Sequence, residues 1–290
     1  MLPFSDYNPL AVTIWFLCTI LTAMFSGHPV FVFISLTGSV LYFLILNGRN
    51  HGKTHGFFFM LFLLFSLVNP LVSHNGKTVL FVFNNNPITL EALLYGVNAS
   101  AAIIGALYWF RAYSALITSD KLFYITAFFS DKISLVLSMT LRFAELFRKQ
   151  FRKTLDSQRA TGLFNDDNII DSIRGYTRIF SILVTWALEN GITTADSMEA
   201  RGFGCGKRTQ MKTFRFRKCD IFLIILSLIC FSLTVFSVYS MNFNFYPEIN
   251  FSKINSAQIL GITAYVLLAL TPSFIETEAQ IKWKYLVSKN

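Results

Sequence analysis

The sequence predicts an all-α polytopic membrane protein, with about six transmembrane helices joined to long amphipathic helices on the cytoplasmic side. Three observations predict it. Of 290 residues, 53% are hydrophobic and 14% charged, with 32 Phe, whereas a soluble domain carries roughly 25% charged residues to face water. Six apolar runs approach the roughly 17–25 residues that a helix needs to cross a bilayer. Between those runs the basic residues collect on alternate loops, as the positive-inside rule requires.

The six runs are residues 10–25, 30–46, 57–72, 92–117, 221–241 and 257–274. The residues before the first run include Asp6 and no Lys or Arg, and Ser26-Gly27-His28-Pro29 after it is not a small-x-small cleavage site. The run is therefore expected to be a retained span and not a cleaved leader. The fourth carries Arg111, tolerable near a helix end, where its head can snorkel to the interface. With the N-terminus inside, the outer loops 26–29, 73–91 and 242–256 hold only Lys77 and Lys253. The inner segments hold 22 of the 25 basic residues, seventeen of them between 119 and 218. Both termini are expected in the cytoplasm of a multi-pass cell-membrane protein. The chain divides into three regions: 1–118 with about four membrane helices, 119–218 in the cytoplasm, and 219–290 with about two more helices and a cytoplasmic tail.

The net charge of +9 thus belongs to a cytoplasmic segment and not to a nucleic-acid surface. Single-strand binding would need stacking rings along an exposed groove, and here most rings lie in lipid-length runs. Cys18, Cys205, Cys219 and Cys230 show neither CxxC nor His-linked spacing, so no disulfide or metal site is expected. His28, His51, His55 and His74 are scattered. His51 and His55 stand at i, i+4, but Gly48 and Gly52 predict a turn there. Gly52-Lys53-Thr54 and Gly76-Lys77-Thr78 resemble the end of a phosphate loop, yet Asn47 and Leu71 stand where its first Gly is required. No Ser/His/Asp set or carboxylate pair appears, so no catalytic residue and no cofactor are expected.

The central segment carries two helical patterns. Over 131–165, Ile133, Leu137, Leu141, Ala144, Phe147, Phe151 and Leu155 recur at steps of three and four, with Arg148, Lys149, Arg152 and Lys153 on the other side. Over 171–201 the stripe is Ile173, Tyr176, Phe180, Leu183 and Ala187. Gly191 is expected to break this helix, with Thr193 or Thr194 capping a new one. Asp196 and Glu199 would then fall early in that new helix and Arg201 near its end, matching the macrodipole.

Both patterns end alike. Ser157-Gln158-Arg159-Ala160-Thr161-Gly162 aligns at an offset of 40 with Ser197-Met198-Glu199-Ala200-Arg201-Gly202. Two ordinary glycine C-caps would look like this. So would two cytoplasmic helix ends that present a side chain to a partner.

Residues 197–204 (SMEARGFG), followed by Arg208-Thr209, resemble the second Ala-Arg-Gly motif of the transmembrane T component of energy-coupling factor (ECF) transporters. Asn69-Pro70-Leu71, Ile88-Thr89-Leu90-Glu91 with Tyr95-Gly96, and residues 135–143 (LVLSMTLRF) also resemble that family. Together these stretches run from about residue 28 to 220. The resemblance implies a coupling subunit that joins two ABC-type ATPases to a membrane-embedded S component, for vitamin or transition-metal uptake. Two helix-end arginines would dock in grooves on the ATPases. Carried over by position, the second motif is Ala200, Arg201 and Gly202. The first is Ala160, Thr161 and Gly162, with Thr where the family usually has Arg and Arg159 as the nearest substitute. The first end is then expected to rely more on apolar packing, by Leu163 and Phe164. The resemblance names no substrate, because the S component reads it. An alternative from another class is a lipid-linked transferase using Asp166, Asp167 and Asp171, a DDxxxD pattern able to hold Mg²⁺. A stand-alone secondary transporter is disfavoured by the lack of midplane polar residues.

Overall fold

The computed structural model describes residues 3–47, 52–73, 76–83, 86–164, 169–206, 214, 216–241, 245 and 255–289. In chain order the elements are α1 (Pro9–Phe25), α2 (Pro29–Asn47), α3 (Gly52–Val72), β1 (Val79–Phe83), β2 (Asn86–Thr89) and α4 (Leu90–Leu116). Then come α5 (Ser119–Phe129), α6 (Asp131–Ala160), α7 (Ile169–Ala200), α8 (Lys218–Ser240) and α9 (Ser256–Lys289). They divide into two compact units, one of Met1–Leu122 with Phe214–Asn290 and one of Phe123–Thr213.

The first unit is a helical membrane bundle. α2, α3, α4, α8 and α9 are each long and apolar enough to span a bilayer, which makes this a multi-pass membrane protein. The first of the six expected spans falls short. α1 has 17 residues, about 25 Å of helix, and it packs inward against α4 and α8. Its Trp15 and Phe16 join Phe4, Tyr42 and Trp109 in a buried aromatic cluster. Trp15 and Trp109 meet edge to face at 5.4 Å, a geometry worth about 0.5–1.5 kcal/mol beyond burial. Trp109 satisfies its indole N–H on Ser35 Oγ at 3.0 Å.

Four side chains gather chain segments at one end of this bundle. The Asp220 carboxylate accepts from Asn8 N at 2.9 Å and from Arg217 N at 2.7 Å, joining the start of α1 to the start of α8. Glu276 on α9 accepts from Phe4 N at 3.1 Å. Lys121 donates to Ser5 O at 2.6 Å and to Leu116 O at 3.0 Å; burial holds its pKa below the usual lysine value, with Asp6 acting the other way. Gln280 on α9 donates to Ile45 O at the end of α2.

The opposite end carries an element that hydrophobic counting misses. β1 and β2 pair antiparallel, Val79 opposite Thr89 and Val82 opposite Pro87. The buried Glu91 carboxylate accepts from Thr78 N and, at 2.8 Å, from Thr78 Oγ, which locks the hairpin onto the first turn of α4. Thr89 caps that turn through Ala92 N. Nearby, Pro70 interrupts the α3 ladder at Ser66 O, and that carbonyl lies where a Cβ on Gly96 would come within 2.7 Å. Asn69 then donates to Ala92 O at 2.8 Å. The Asn69-Pro70, Ile88–Glu91 and Tyr95-Gly96 stretches are thus one joint between α3, the hairpin and α4.

The helix bounds correct three expectations. α3 starts at Gly52, so this glycine opens a helix instead of making a turn, and His55 lies on α3 with Nδ1 2.8 Å from Tyr108 Oη. α9 continues through Pro272 to Lys289, well past the expected end at 274. α7 runs unbroken through Gly191.

The second unit is an antiparallel α6–α7 hairpin. Phe164, after the end of α6, folds back into a seat left open by Gly175, where a Cβ would come within 2.5 Å of its ring. Phe164, Ile179 and Leu183 form the small core, with Phe151 and Leu155 against it. Phe147 meets Trp186 edge to face at 5.4 Å. The expected α7 stripe is therefore only partly the packed face. Leu183 is buried, while Ile173 and Phe180 are 61% and 66% exposed.

Candidate functional site

The two helix ends that look alike in sequence are alike in structure. At the end of α6, Gly162 takes φ +71°. Its N–H bonds Arg159 O at 3.0 Å, and Leu163 N bonds Gln158 O at 3.1 Å. At the end of α7, Gly202 takes φ +81°, its N–H bonds Glu199 O at 2.9 Å, and Phe203 N bonds Met198 O at 3.0 Å. Both are Schellman caps, which satisfy the last carbonyls through a left-handed residue that Gly adopts without the Cβ clash. Thr161 and Arg201 therefore occupy the same position, the C-cap, with Ala160 and Ala200 exposed just before them.

Their side chains do different things. The Thr161 hydroxyl turns back to Ser157 O and Gln158 O at 3.0 and 3.1 Å. Arg159 lies over the Phe164 ring, its Cζ 5.4 Å from the centroid. Phe164 itself is 6% exposed, so it serves the hairpin core and is closed to a partner; Leu163, at 56%, stays open. The guanidinium of Arg201 is exposed, and no hydrogen bond or ion pair holds it among the described residues. It lines a groove of about 560 Å³ with Arg142, Met139 and Leu135 of α6 and Asn190 and Met198 of α7.

The structure does not bring the two ends together. Because the hairpin is antiparallel, Arg201 lies beside the first half of α6, and Thr161 lies at that helix's far end. About twenty residues of α6 separate the two ends, on the order of 30 Å.

No family model matches the chain. Among curated proteins it is similar to the energy-coupling factor transporter transmembrane protein EcfT of Lactobacillus helveticus (strain DPC 4571). The two are 32% identical over 93 residues, 31% of this chain and 34% of that protein. It is also similar to EcfT 1 of Listeria monocytogenes serotype 1/2a (strain 08-5578), 25% identical over 171 residues, 55% of this chain and 64% of that protein. The chain is similar to the ECF transmembrane proteins over these stretches. The matched stretches span about a third and just under two thirds of those relatives.

The other sequence candidates are dispersed in this EcfT-like chain. Among the described residues no group of three or more His, Cys, Asp and Glu could hold a metal. Asp171 is exposed in the first turn of α7, while Asp166, Asp167, His51, His74, Arg208 and Thr209 lie outside the described residues. Cys18 and Cys230 are buried and Cys205 and Cys219 exposed, all as free thiols. Sequence patterns do not single out Arg142 as a site residue. The LVLSMTLRF stretch contains it, but only the antiparallel pairing shows that it lines the same groove as Arg201.

Proposed function

We propose that this chain is the transmembrane coupling subunit of an ATP-driven ECF-type importer. It links two ABC-type ATPases to a membrane-embedded S component, for uptake of a vitamin or a transition metal. The observation that carries the reading is the pair of matching Schellman ends on one hairpin, one of them presenting an exposed guanidinium. Similarity to two EcfT proteins supports it. Each ATPase takes one end, Ala200-Arg201-Gly202 or Arg159-Ala160-Thr161-Gly162. A spacing on the order of 30 Å lets two globular partners dock without overlapping. A helix of hydrogen-bonded turns is stiff along its axis, so ATPase closure at the ends is carried along the hairpin to whatever its apolar faces touch. Such transport moves a partner and requires no catalytic residue or cofactor in this chain. In this reading the hairpin and both termini are cytoplasmic.

The test is Arg201→Ala in the full chain co-expressed with its ATPases. An exposed Arg changes stability by only about 0.5 kcal/mol when truncated, whereas losing one partner of a desolvated charge pair costs about 2–5 kcal/mol of binding. The variant is expected to reach the membrane normally, lose ATPase and stop transporting. Wild-type ATPase retention and transport would refute the assignment.

A further inference from the structure

We propose that Arg142 is a second docking cation, gripping together with Arg201 one carboxylate of the ATPase partner. The inference rests on the reading of Arg201 as a docking residue and extends it to the opposite wall of the groove.

The groove lies between the first half of α6 and the last turns of α7, and among the described residues its lining includes two arginines and no acid. Arg142 is exposed; it touches the neighbouring Phe143 ring, 5.9 Å from Cζ, and it makes no hydrogen bond or ion pair among the described residues. The other polar groups on the α7 side are turned to the backbone. Thr194 and Ser197 donate to Asn190 O and Thr193 O at 2.7 Å, and Asn190 donates to Trp186 O at 2.8 Å. Their oxygens remain as acceptors, so the guanidiniums are the charged donors of the groove. Each offers a planar fork of N–H groups that matches a carboxylate.

Two like charges facing one groove repel while it is empty. A carboxylate between them removes that repulsion and forms two charge-assisted pairs. Leu135, Met139 and Met198 line the same groove, an apolar floor suited to the methylene stem of Glu or Asp on a polypeptide. That combination of apolar floor and cationic rim commits the occupant to a protein side chain.

The experiment measures ATPase retained per tagged full-length chain after detergent purification with its own ATPases. The variants are Arg142→Gln, Arg201→Gln, both together, and Ser138→Glu. Each single Gln variant is expected to lose roughly tenfold or more of the binding constant, as for a charge left half-compensated. The double variant is expected to fall within about threefold of the weaker single, because residues sharing one partner are not additive. Ser138 is an exposed helix position lining the groove. Ser138→Glu gives both arginines a carboxylate of the chain's own and is expected to block docking without touching either. Loss with Arg201→Gln but not with Arg142→Gln or Ser138→Glu, or additive losses, would overturn the shared carboxylate and leave Arg201 docking intact. No loss with any variant would overturn both. Repeating the measurement in phosphatidylcholine vesicles with and without phosphatidylglycerol gives the last arm: an Arg142 effect seen only with the anionic lipid assigns the groove to a headgroup and refutes the proposal.

Discussion

Thr161 and Arg201 hold one structural position in two helix ends, so they can be compared without change of backbone. The α6 end has spent its local donors on itself: the Thr161 hydroxyl on Ser157 and Gln158 carbonyls, and Arg159 on the Phe164 ring. The α7 end has an exposed guanidinium over a groove. If docking follows charge, Arg201→Ala reduces ATPase retention more than Arg159→Ala does. Thr161→Arg, at an exposed position with about 0.5 kcal/mol at stake for stability, keeps or strengthens it. Measuring retention for the three variants decides this; equal losses from the two Ala variants, or disruption by Thr161→Arg, would count against the asymmetry. The caps themselves were legible in the sequence, since Gly after a helix is a local signal. The engagement of Arg159 was not, because it depends on where Phe164 folds, and Phe164 is seated by a glycine eleven residues further on.

At the scale of the element, α7 shows where local propensity yields to its surroundings. Gly and Thr are poor helix formers, which is why Gly191, Thr193 and Thr194 read as a break and a new cap. In the structure the hydroxyls of Thr193, Thr194 and Ser197 donate back to the carbonyls of Glu189, Asn190 and Thr193. This satisfies them without ending the helix. Asp196 and Glu199 consequently sit near the C-terminal end of a 32-residue helix, where carboxylates oppose the macrodipole, and Arg201 is the charge that suits the end. A Cβ on Gly191 would meet nothing within 4 Å. Gly191→Ala is therefore expected to stabilise α7 by about 0.5–1 kcal/mol, slowing amide exchange around residue 191 roughly two- to fivefold. Faster exchange would mean that the helix needs a bend there. Periodicity also showed that α6 and α7 are amphipathic without showing which arc is covered. Spacing fixes the angles of side chains around an axis, whereas the packed arc depends on Gly175, which no hydrophobic count includes.

For the whole molecule the apolar runs marked the membrane helices, and the charge pattern supplies an expectation for the sides. The sequence could not reveal that the sides are locked to one another. Asp220 joins the starts of α1 and α8, Glu276 holds Phe4, Lys121 holds Ser5, and Gln280 reaches Ile45. Sidedness is therefore a single choice for the bundle: the beginning of the chain, the end of α2, the end of α4, the start of α8 and residues 276–280 stay together. By the positive-inside rule this end is expected to face the cytoplasm, since it includes Arg217 and Lys218 and the face with Lys77 is almost without basic residues. An impermeant maleimide applied to intact cells provides the measurement. In a chain with its four cysteines replaced, single cysteines at Asp120, Phe216 and Lys284 are expected to stay unlabelled until the membrane is opened. One at Lys77 labels at once. The exposed native Cys205, tested alone, is expected to stay protected, because the proposed coupling role places the α7 end on the ATPase side. Uniform inversion of all five results would preserve the fold and end the coupling proposal, since no ATP-driven partner works from outside. A mixed result among positions 120, 216 and 284 would contradict the bundle itself.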